Sequence, residues 1–277
     1  MGKDKSLDEQ ILEIIKKQNL TVEEAKRALA QLSQPEKLRR SYEHFYDSKK
    51  VKLGVFSDPH FGSKFFDYQA FDHAVKTFNK EKVDAIYIPG DVIEGMSTRP
   101  GHVYELEHIG NTAQINHAAQ MLGQFKQPIY FITGNHDEWA KKKSDQGTLV
   151  GPEIASRVKG STFLGEYTAD IKLNPNVTMR LTHEGATAYA LSYSLQKRIN
   201  ALSGGTKPDI LLNGHLHKML YLYYRNIQAM ECGTLLKQTP FMQMLGSPAH
   251  VGFTILDIGY NKKGVNSFSP TIYPHYE

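Results

Sequence analysis

From Val51 onward the chain alternates short apolar runs with amphipathic stretches of helical spacing. "VKLGVFS" reads as a strand, "YQAFDHAVKTFNKE" as a helix and "DAIYIPG" as a second strand. "ELEHIGNTAQINHAAQML" reads as a helix and "PIYFITG" as a strand, followed later by the strand "VTMRLTH" and the helix-like "YALSYSLQKRINAL". "DILLNGH" and "MLYLYYR" then read as strands, and the final third is the most strand-rich part. This alternation predicts a layered α/β fold with mixed sheets. Linker-like material is expected around residues 47 to 50 and 141 to 148.

The first fifty residues have a different texture, charged and helix-prone. Ser6 with Glu9, and Thr21 with Glu24, form two capping boxes in succession. Leu7, Ile11, Leu12, Ile14 and Ile15 follow the first at helical spacing, and Val22, Ala25, Leu29 and Leu32 follow the second. Pro35 suits the first position of a third helix, with Leu38, Tyr42, Phe45 and Tyr46 along one side. Residues 1–48 therefore read as a small N-terminal helical segment, and 49–277 as the main domain. The segment fits either a helix-turn-helix, with Lys37, Arg39 and Arg40 meeting phosphates, or a cap that packs on the core or forms a homodimer.

Composition changes this picture little. With 277 residues, 40% hydrophobic and 22% charged, the chain can bury a sizeable core, and its net charge of +4 permits an anionic partner without requiring one. Cys232 is the single cysteine, so an internal disulfide is excluded, and a reducing, cytoplasmic setting is expected. No apolar run approaches the roughly 18 residues of a membrane span, and the charged start lacks the apolar core of a signal peptide. "MGKDKS" meets a myristoylation pattern short enough to arise by chance.

The chemistry lies at the strand ends. Asp58 and His60 follow the first strand, Asp91 the second, Asn135 and His136 the third, His183 a fourth, and His215 with His217 a fifth. Taken singly, each fragment has an ordinary reading: a turn, a helix cap, or two histidines that share a face of an extended segment. Taken together, five apolar runs end in metal-type ligands, and α/β sheets assemble their sites at the carboxyl ends of strands.

These residues resemble the calcineurin-like metallophosphoesterase superfamily. The motifs read Asp58-Pro59-His60, Gly90-Asp91-Val92-Ile93-Glu94, Gly134-Asn135-His136-Asp137, His183, and Gly214-His215-Leu216-His217. At the fourth motif many relatives carry Gly-His, whereas this chain has Thr182-His183-Glu184-Gly185. The resemblance covers roughly residues 51 to 260 and implies a four-layer α-β-β-α sandwich with two mixed sheets. It also implies two divalent ions, one held by Asp58, His60, Asp91 and His217, the other by Asp91, Asn135, His183 and His215. Manganese suits these mixed oxygen and nitrogen ligands, and zinc, iron and nickel fit similar sets.

Two ions bring four positive charges against the two carboxylates, Asp58 and Asp91, so a surplus remains for a bridging hydroxide and an anionic phosphate. Asn135 is neutral and preserves that surplus. The resemblance makes His136 the group that stabilises the transition state or protonates the departing oxygen, with Asp137 orienting its imidazole. Glu94 reads either as a partner of a ligand or as a solvent-facing carboxylate.

"GDVIEGMSTRPGHVYELE" and "CGTLLKQTPFMQML" are similar to segments of the exonuclease subunit of archaeal D-family DNA polymerases and of stand-alone relatives. That resemblance implies a phosphodiesterase acting on nucleic acid, and the reading it supports is a 3′–5′ DNA exonuclease or a general DNA phosphodiesterase. Lys141, Lys142 and Lys143 could then hold backbone phosphates, and Arg99, His102 and Tyr104 lie in the loop that would meet a nucleotide. A solvated loop also accounts for the lysine run. Tyr221, Tyr223 and Tyr224 suit either base stacking or packing within a strand. The alternative reading is a phosphomonoesterase acting on a phosphoprotein or small metabolite. A scaffold without catalysis is disfavoured, since every expected ligand and His136 are present.

Overall fold

Strand pairing sets the architecture. The computed structural model describes residues 40–46, 49–140, 148–185, 190–203, 205 and 207–276. Among them, twelve strands form two six-stranded sheets. In one sheet the order is β1 (Arg40–Glu43), β6 (Thr168–Asn174), β7 (Val177–Thr182), β8 (Ile210–Asn213), β10 (Ile227–Cys232) and β9 (Met219–Tyr224). In the other it is β12 (Gly264–Pro274), β11 (Gly252–Asn261), β2 (Lys50–Val55), β3 (Ala85–Pro89), β4 (Ile129–Thr133) and β5 (Ser161–Glu166). The run β2–β3–β4–β5 is parallel, whereas β11 pairs antiparallel with β2 and with β12. In the first sheet β7, β8 and β10 run parallel, and β9 turns back against β10. Both sheets are thus mixed, as the pattern of runs predicts.

Buried side chains fall into three clusters that separate the layers. Leu53, Val55, Tyr87 and Ile132 of one sheet meet Ile171, Met179, Leu181, Ile210, Leu212 and Met230 of the other. On the outer face of the β2–β5 sheet, Phe56, Ile86, Ile88 and Phe131 pack against three helices: α1 (Tyr68–Glu81), α2 (Asn111–Leu122) and, after the short α3 (Asn135–Trp139), α4 (Val150–Arg157). On the outer face of the other sheet, Leu195 and Ile199 of α5 (Leu191–Ala201) cover Leu211, Ile227 and Ala229. Helix, sheet, sheet, helix is the four-layer arrangement that the resemblance implies.

Local sequence explains the element that leads from the first strand. Asp67 accepts from the amides of Gln69 and Ala70, both at 3.0 Å, and so caps α1. Ala70, Phe71, Ala74, Thr77 and Phe78 then recur at helical spacing and form its buried face. Lys82 ends it in the left-handed region, at φ 52°.

Two expectations are corrected. The third N-terminal helix, with Tyr42, Phe45 and Tyr46 on one side, gives way to strand β1 at Arg40–Glu43, which pairs parallel with β6. Tyr42 donates its hydroxyl to the carbonyl of Leu164 at 2.7 Å, and cross-sheet anchoring overrides local helical propensity there. The helix expected from Glu105 starts only at Asn111, because Gly110, at φ 92°, breaks the run. A short 3₁₀ turn, His102–Glu105, precedes it. The first two N-terminal helices lie outside the described residues. Among the described residues, no helix is long and apolar enough to cross a membrane.

Candidate metal centre

The parallel run of β2, β3 and β4 brings their carboxyl ends side by side, and β7 with β8 does the same in the facing sheet. The loops that follow meet across the gap. His183 Nε2 lies 3.0 Å from Asp91 Oδ2 and 4.0 Å from Asp58 Oδ1, so loops from both sheets share one polar focus.

Ligand-type atoms gather there in overlapping groups. Asp58, His60 and His217 offer atoms all within 4.8 Å of one another, as do Asp91, His183 and His215, and as do His60, Asp91 and His136. His60 Nε2 and His217 Nε2 stand 3.1 Å apart, with His217 Nε2 also 3.2 Å from Asp58 Oδ1. Asn135 Oδ1 is 2.8 Å from His215 Nδ1. Asp91 faces both sides: Oδ2 is 3.0 Å from His183 and 3.9 Å from His60, while Oδ1 accepts the His136 amide at 2.9 Å. All seven candidate ligands named from the sequence are therefore brought together.

The donor set fits divalent ions. Among the described residues the buried Nε2 of His183 makes no well-aligned hydrogen bond and faces Asp91 Oδ2 at 3.0 Å, while its Nδ1 donates to the Pro89 carbonyl at 2.7 Å. A ring held by one nitrogen with the other aimed at carboxylates is the usual posture of a metal-ligating histidine. Burial opposes charge on His183, but Asp91 and Asp58 outweigh it and push the imidazole up to about 10. Burial likewise opposes charge on His60, and Glu94, Asp91 and Asp58 raise it to about 9. Asp91 is held well below the usual carboxylate range: burial opposes this, and the surrounding histidines prevail. A site so rich in buried carboxylate attracts positive charge, whether as protons or as metal cations.

The backbone is shaped for this focus. Asp58, His60, Asp91, His215 and His217 all have positive φ, between 47° and 78°. Left-handed residues other than glycine are uncommon and carry local strain of order 1–3 kcal/mol each. Gly134 is required for space, since a Cβ there would collide with Asp91 Oδ1 and the His183 ring.

His136 adjoins this focus. Its Nδ1 donates to the main-chain oxygen of Glu94 at 2.8 Å, and its ring lies between His60, 4.5 Å away edge-on, and Trp139, 4.0 Å away. Burial lowers its pKa to about 4. Asp137 does not orient this imidazole, contrary to expectation. Its buried carboxylate accepts three main-chain amides, from Gly134 at 2.8 Å, Ile93 at 2.9 Å and Val92 at 3.1 Å, and so clasps the loop after β3 to the loop after β4. Burial pushes its carboxyl up to about 7.

Glu94 takes the orienting place. It is buried, lies 3.0 Å from His60 Nδ1, accepts from His102 Nε2 at 2.9 Å, and approaches His136 Nδ1 at 3.6 Å. The solvent-facing reading of Glu94 is thereby excluded. Burial opposes its charge, yet His60, His102 and His136 hold it below the ordinary carboxylate range.

The substrate-facing candidates fare unevenly. His102 is 2% exposed and committed to Glu94, so it supports the site from behind and does not meet a nucleotide. Arg99 forms a two-pronged pair with Glu105, at 3.0 and 2.6 Å, and stacks 5.0 Å over Phe241. Tyr104 is 77% exposed, free to touch a ligand. Lys141, Lys142 and Lys143 lie outside the described residues. Tyr221 and Tyr223 are exposed on β9, bonded to Gln228 and Asn226. Sequence reasoning missed Arg198, Asn213 and Glu231, a polar group behind His183 and His215; the asparagine that closes the apolar run "ILLN" directly before Gly214-His215 was the available signal.

Residues 51–219, more than half of the chain, match the family model described as calcineurin-like phosphoesterase. The chain is 25% identical over 275 residues to the DNA polymerase II small subunit of Halobacterium salinarum, covering 83% of this chain and 53% of that protein. To the corresponding subunit of Pyrococcus furiosus it is 24% identical over 255 residues, covering 76% of this chain and 42% of that one. The chain thus spans about half the length of the curated relatives it matches. Among solved structures it is similar to an archaeal phosphodiesterase, at 15% identity and a TM-score of 0.46, covering 80% of this chain and all of that one.

Proposed function

The chain belongs to the calcineurin-like phosphoesterase family, whose members are metal-dependent, and from that premise we propose that it is a two-metal phosphodiesterase of nucleic acid, a 3′–5′ DNA exonuclease. The observation that carries the reading is the sharing of Asp91 between two ligand groups, with His60 on one side and His183 on the other. A carboxylate with two oxygens can serve both positions. Similarity to DNA polymerase small subunits supports nucleic acid as the substrate class.

Asp58, His60, Asp91 and His217 would hold one ion, and Asp91, Asn135, His183 and His215 the other. When bound, the ions supply Lewis acidity and an activated water nucleophile; manganese is the expected native choice, and the donors admit zinc, iron or nickel. The protein's own residues supply placement and protons. Glu94 holds His60 and, through its main-chain oxygen, His136. With the Nδ1 proton committed to Glu94, His136 would act through Nε2 as the imidazolium, a form that an approaching anionic phosphate favours, stabilising charge at the phosphoryl group or giving the Nε2 proton to the departing oxygen. Asp137 keeps the loops bearing Asp91 and Asn135 in register.

The test is manganese-dependent hydrolysis of end-labelled single- and double-stranded DNA beside a bis-nitrophenyl diester and nitrophenyl phosphate, with Asp91→Asn as the control. A ladder shortening from the 3′ end, absent in the control, is the expected result. Intact DNA with rapid monoester hydrolysis would overturn the diesterase reading in favour of a phosphomonoesterase.

A further inference from the structure

Behind the carboxyl ends of β7 and β8 lies a polar cluster that the chemistry above does not use. Arg198, on α5, is 11% exposed and directs its guanidinium at both strand ends. Nη1 donates to Thr182 Oγ1 at 3.1 Å and also to Asn213 Oδ1, and Nη2 donates to the Glu184 carbonyl. Asn213 is fully buried; its Nδ2 donates to Glu231 Oε2 at 2.6 Å and to the Gly214 carbonyl at 2.8 Å. The Glu184 amide and the Thr182 hydroxyl both donate to Asn213 Oδ1, at 3.3 and 2.8 Å.

The positions of these partners in the chain give the cluster its meaning. Thr182 and Glu184 flank His183, and Asn213 with Gly214 immediately precedes His215. One guanidinium thus grips both loops that bring these two histidines to Asp91. His60 is held differently, by Glu94 and His102 and by the bond from its amide to the Asp91 carbonyl at 3.1 Å. The two ligand groups therefore lean mainly on different supports, joined where His217 follows His215 on the gripped loop and where the His215 amide donates to Asp58 at 2.9 Å.

We propose that Arg198 is a positioning residue chiefly for one metal position, that of Asp91, Asn135, His183 and His215, two of whose ligands sit on the loops it grips. The inference rests on the two-metal reading above. A guanidinium presents its N–H groups in a fixed planar fork, and here the fork spans acceptors on two loops. Lysine keeps the charge but is shorter and carries one nitrogen, so it forfeits the Nη2 bond to the Glu184 carbonyl and loosens the grip that Nη1 makes on Thr182 and Asn213. Loss of such outer support typically costs 10–100-fold in metal affinity.

The experiment is titration of metal-free wild type and Arg198→Lys with Mn2+ by calorimetry, with electron paramagnetic resonance of the loaded proteins. Wild type should bind two ions per chain and show an exchange-coupled spectrum. Arg198→Lys should keep one ion at close to wild-type affinity and bind the second about tenfold or more weakly. Near one equivalent, it should show the six-line signal of an isolated ion. Equal weakening of both positions, or of neither, overturns the inference while leaving the two-metal reading intact. Fewer than two ions in wild type overturns both. If Arg198→Lys loses cooperative unfolding, Arg198→Gln is judged by the same outcomes.

Discussion

Replacement of Asp137 separates a clasp from a catalytic orienter. Its carboxylate accepts from Gly134, Ile93 and Val92 at 2.8, 2.9 and 3.1 Å, and the residue is 2% exposed. Asp137→Ala would leave three amides without acceptors. An unsatisfied buried donor costs roughly 1–3 kcal/mol, and water entering the space left by the carboxylate recovers part of this. The expected loss is about 3–6 kcal/mol of unfolding free energy. Asp137→Asn keeps one acceptor oxygen but turns an N–H toward an amide, so its loss should be about half as large. Urea unfolding of the metal-free proteins measures both, and calorimetry with Mn2+ should show weakened binding, since Val92 directly follows Asp91. If Asp137 instead oriented His136, Asp137→Ala would lower turnover and leave stability and metal binding unchanged. A loss under 1 kcal/mol with wild-type metal affinity would refute the clasp.

Other perturbations probe neighbouring parts of the site. His136→Ala should retain both metals while turnover falls by roughly 10²–10⁴, the usual worth of a positioned acid or base; full activity would remove His136 from the chemistry. Gly134→Ala should keep the fold but weaken metal binding, because the added methyl meets Asp91 and His183; unchanged affinity would show that these side chains can give way. Glu231→Gln tests a buried carboxyl that burial raises to about 7. The folded state favours its proton, so its contribution to stability is fully present below the ordinary value of 4.5 and lost as pH rises through about 7. Glutamine mimics the protonated form and keeps an acceptor for Asn213. The variant should gain up to about 3 kcal/mol over wild type at pH 8 and nothing at pH 4, read from paired unfolding curves.

Much of this centre was legible because each ligand closes an apolar run, and a parallel strand order turns such endings into neighbours. The helix over Tyr68–Glu81, the layered sheets and the clustering of polar residues at strand ends follow from that periodicity, whereas the set of seven ligands is what the family resemblance implies. What escaped were matters of side-chain direction. Asp137 adjoins His136 in sequence, yet the first turn of its helix points the carboxylate back toward Gly134, whereas Glu94, forty-two positions from His136, supplies the contact. Arg99 and His102 looked available in an irregular loop, but Glu105 and Glu94 had already claimed them. At Tyr42 the spacing suits a helix as well as a strand edge, and only pairing with β6 decides.

The left-handed turns at Asp58, His60, Asp91, His215 and His217 couple two properties that are usually considered apart. Aspartate, asparagine and histidine are the side-chain-bearing residues that best tolerate such dihedrals, and they are also donors for hard and borderline cations. If these residues hold the ions as proposed, each position answers to coordination and to conformation at once. Glutamate or cysteine could satisfy the first demand while failing the second. Grafting these motif letters onto another scaffold would transplant the donors without the bends that aim them. Altering the ion preference of this scaffold accordingly begins with turn geometry, and the repertoire of admissible ligands is narrower than coordination chemistry alone would allow.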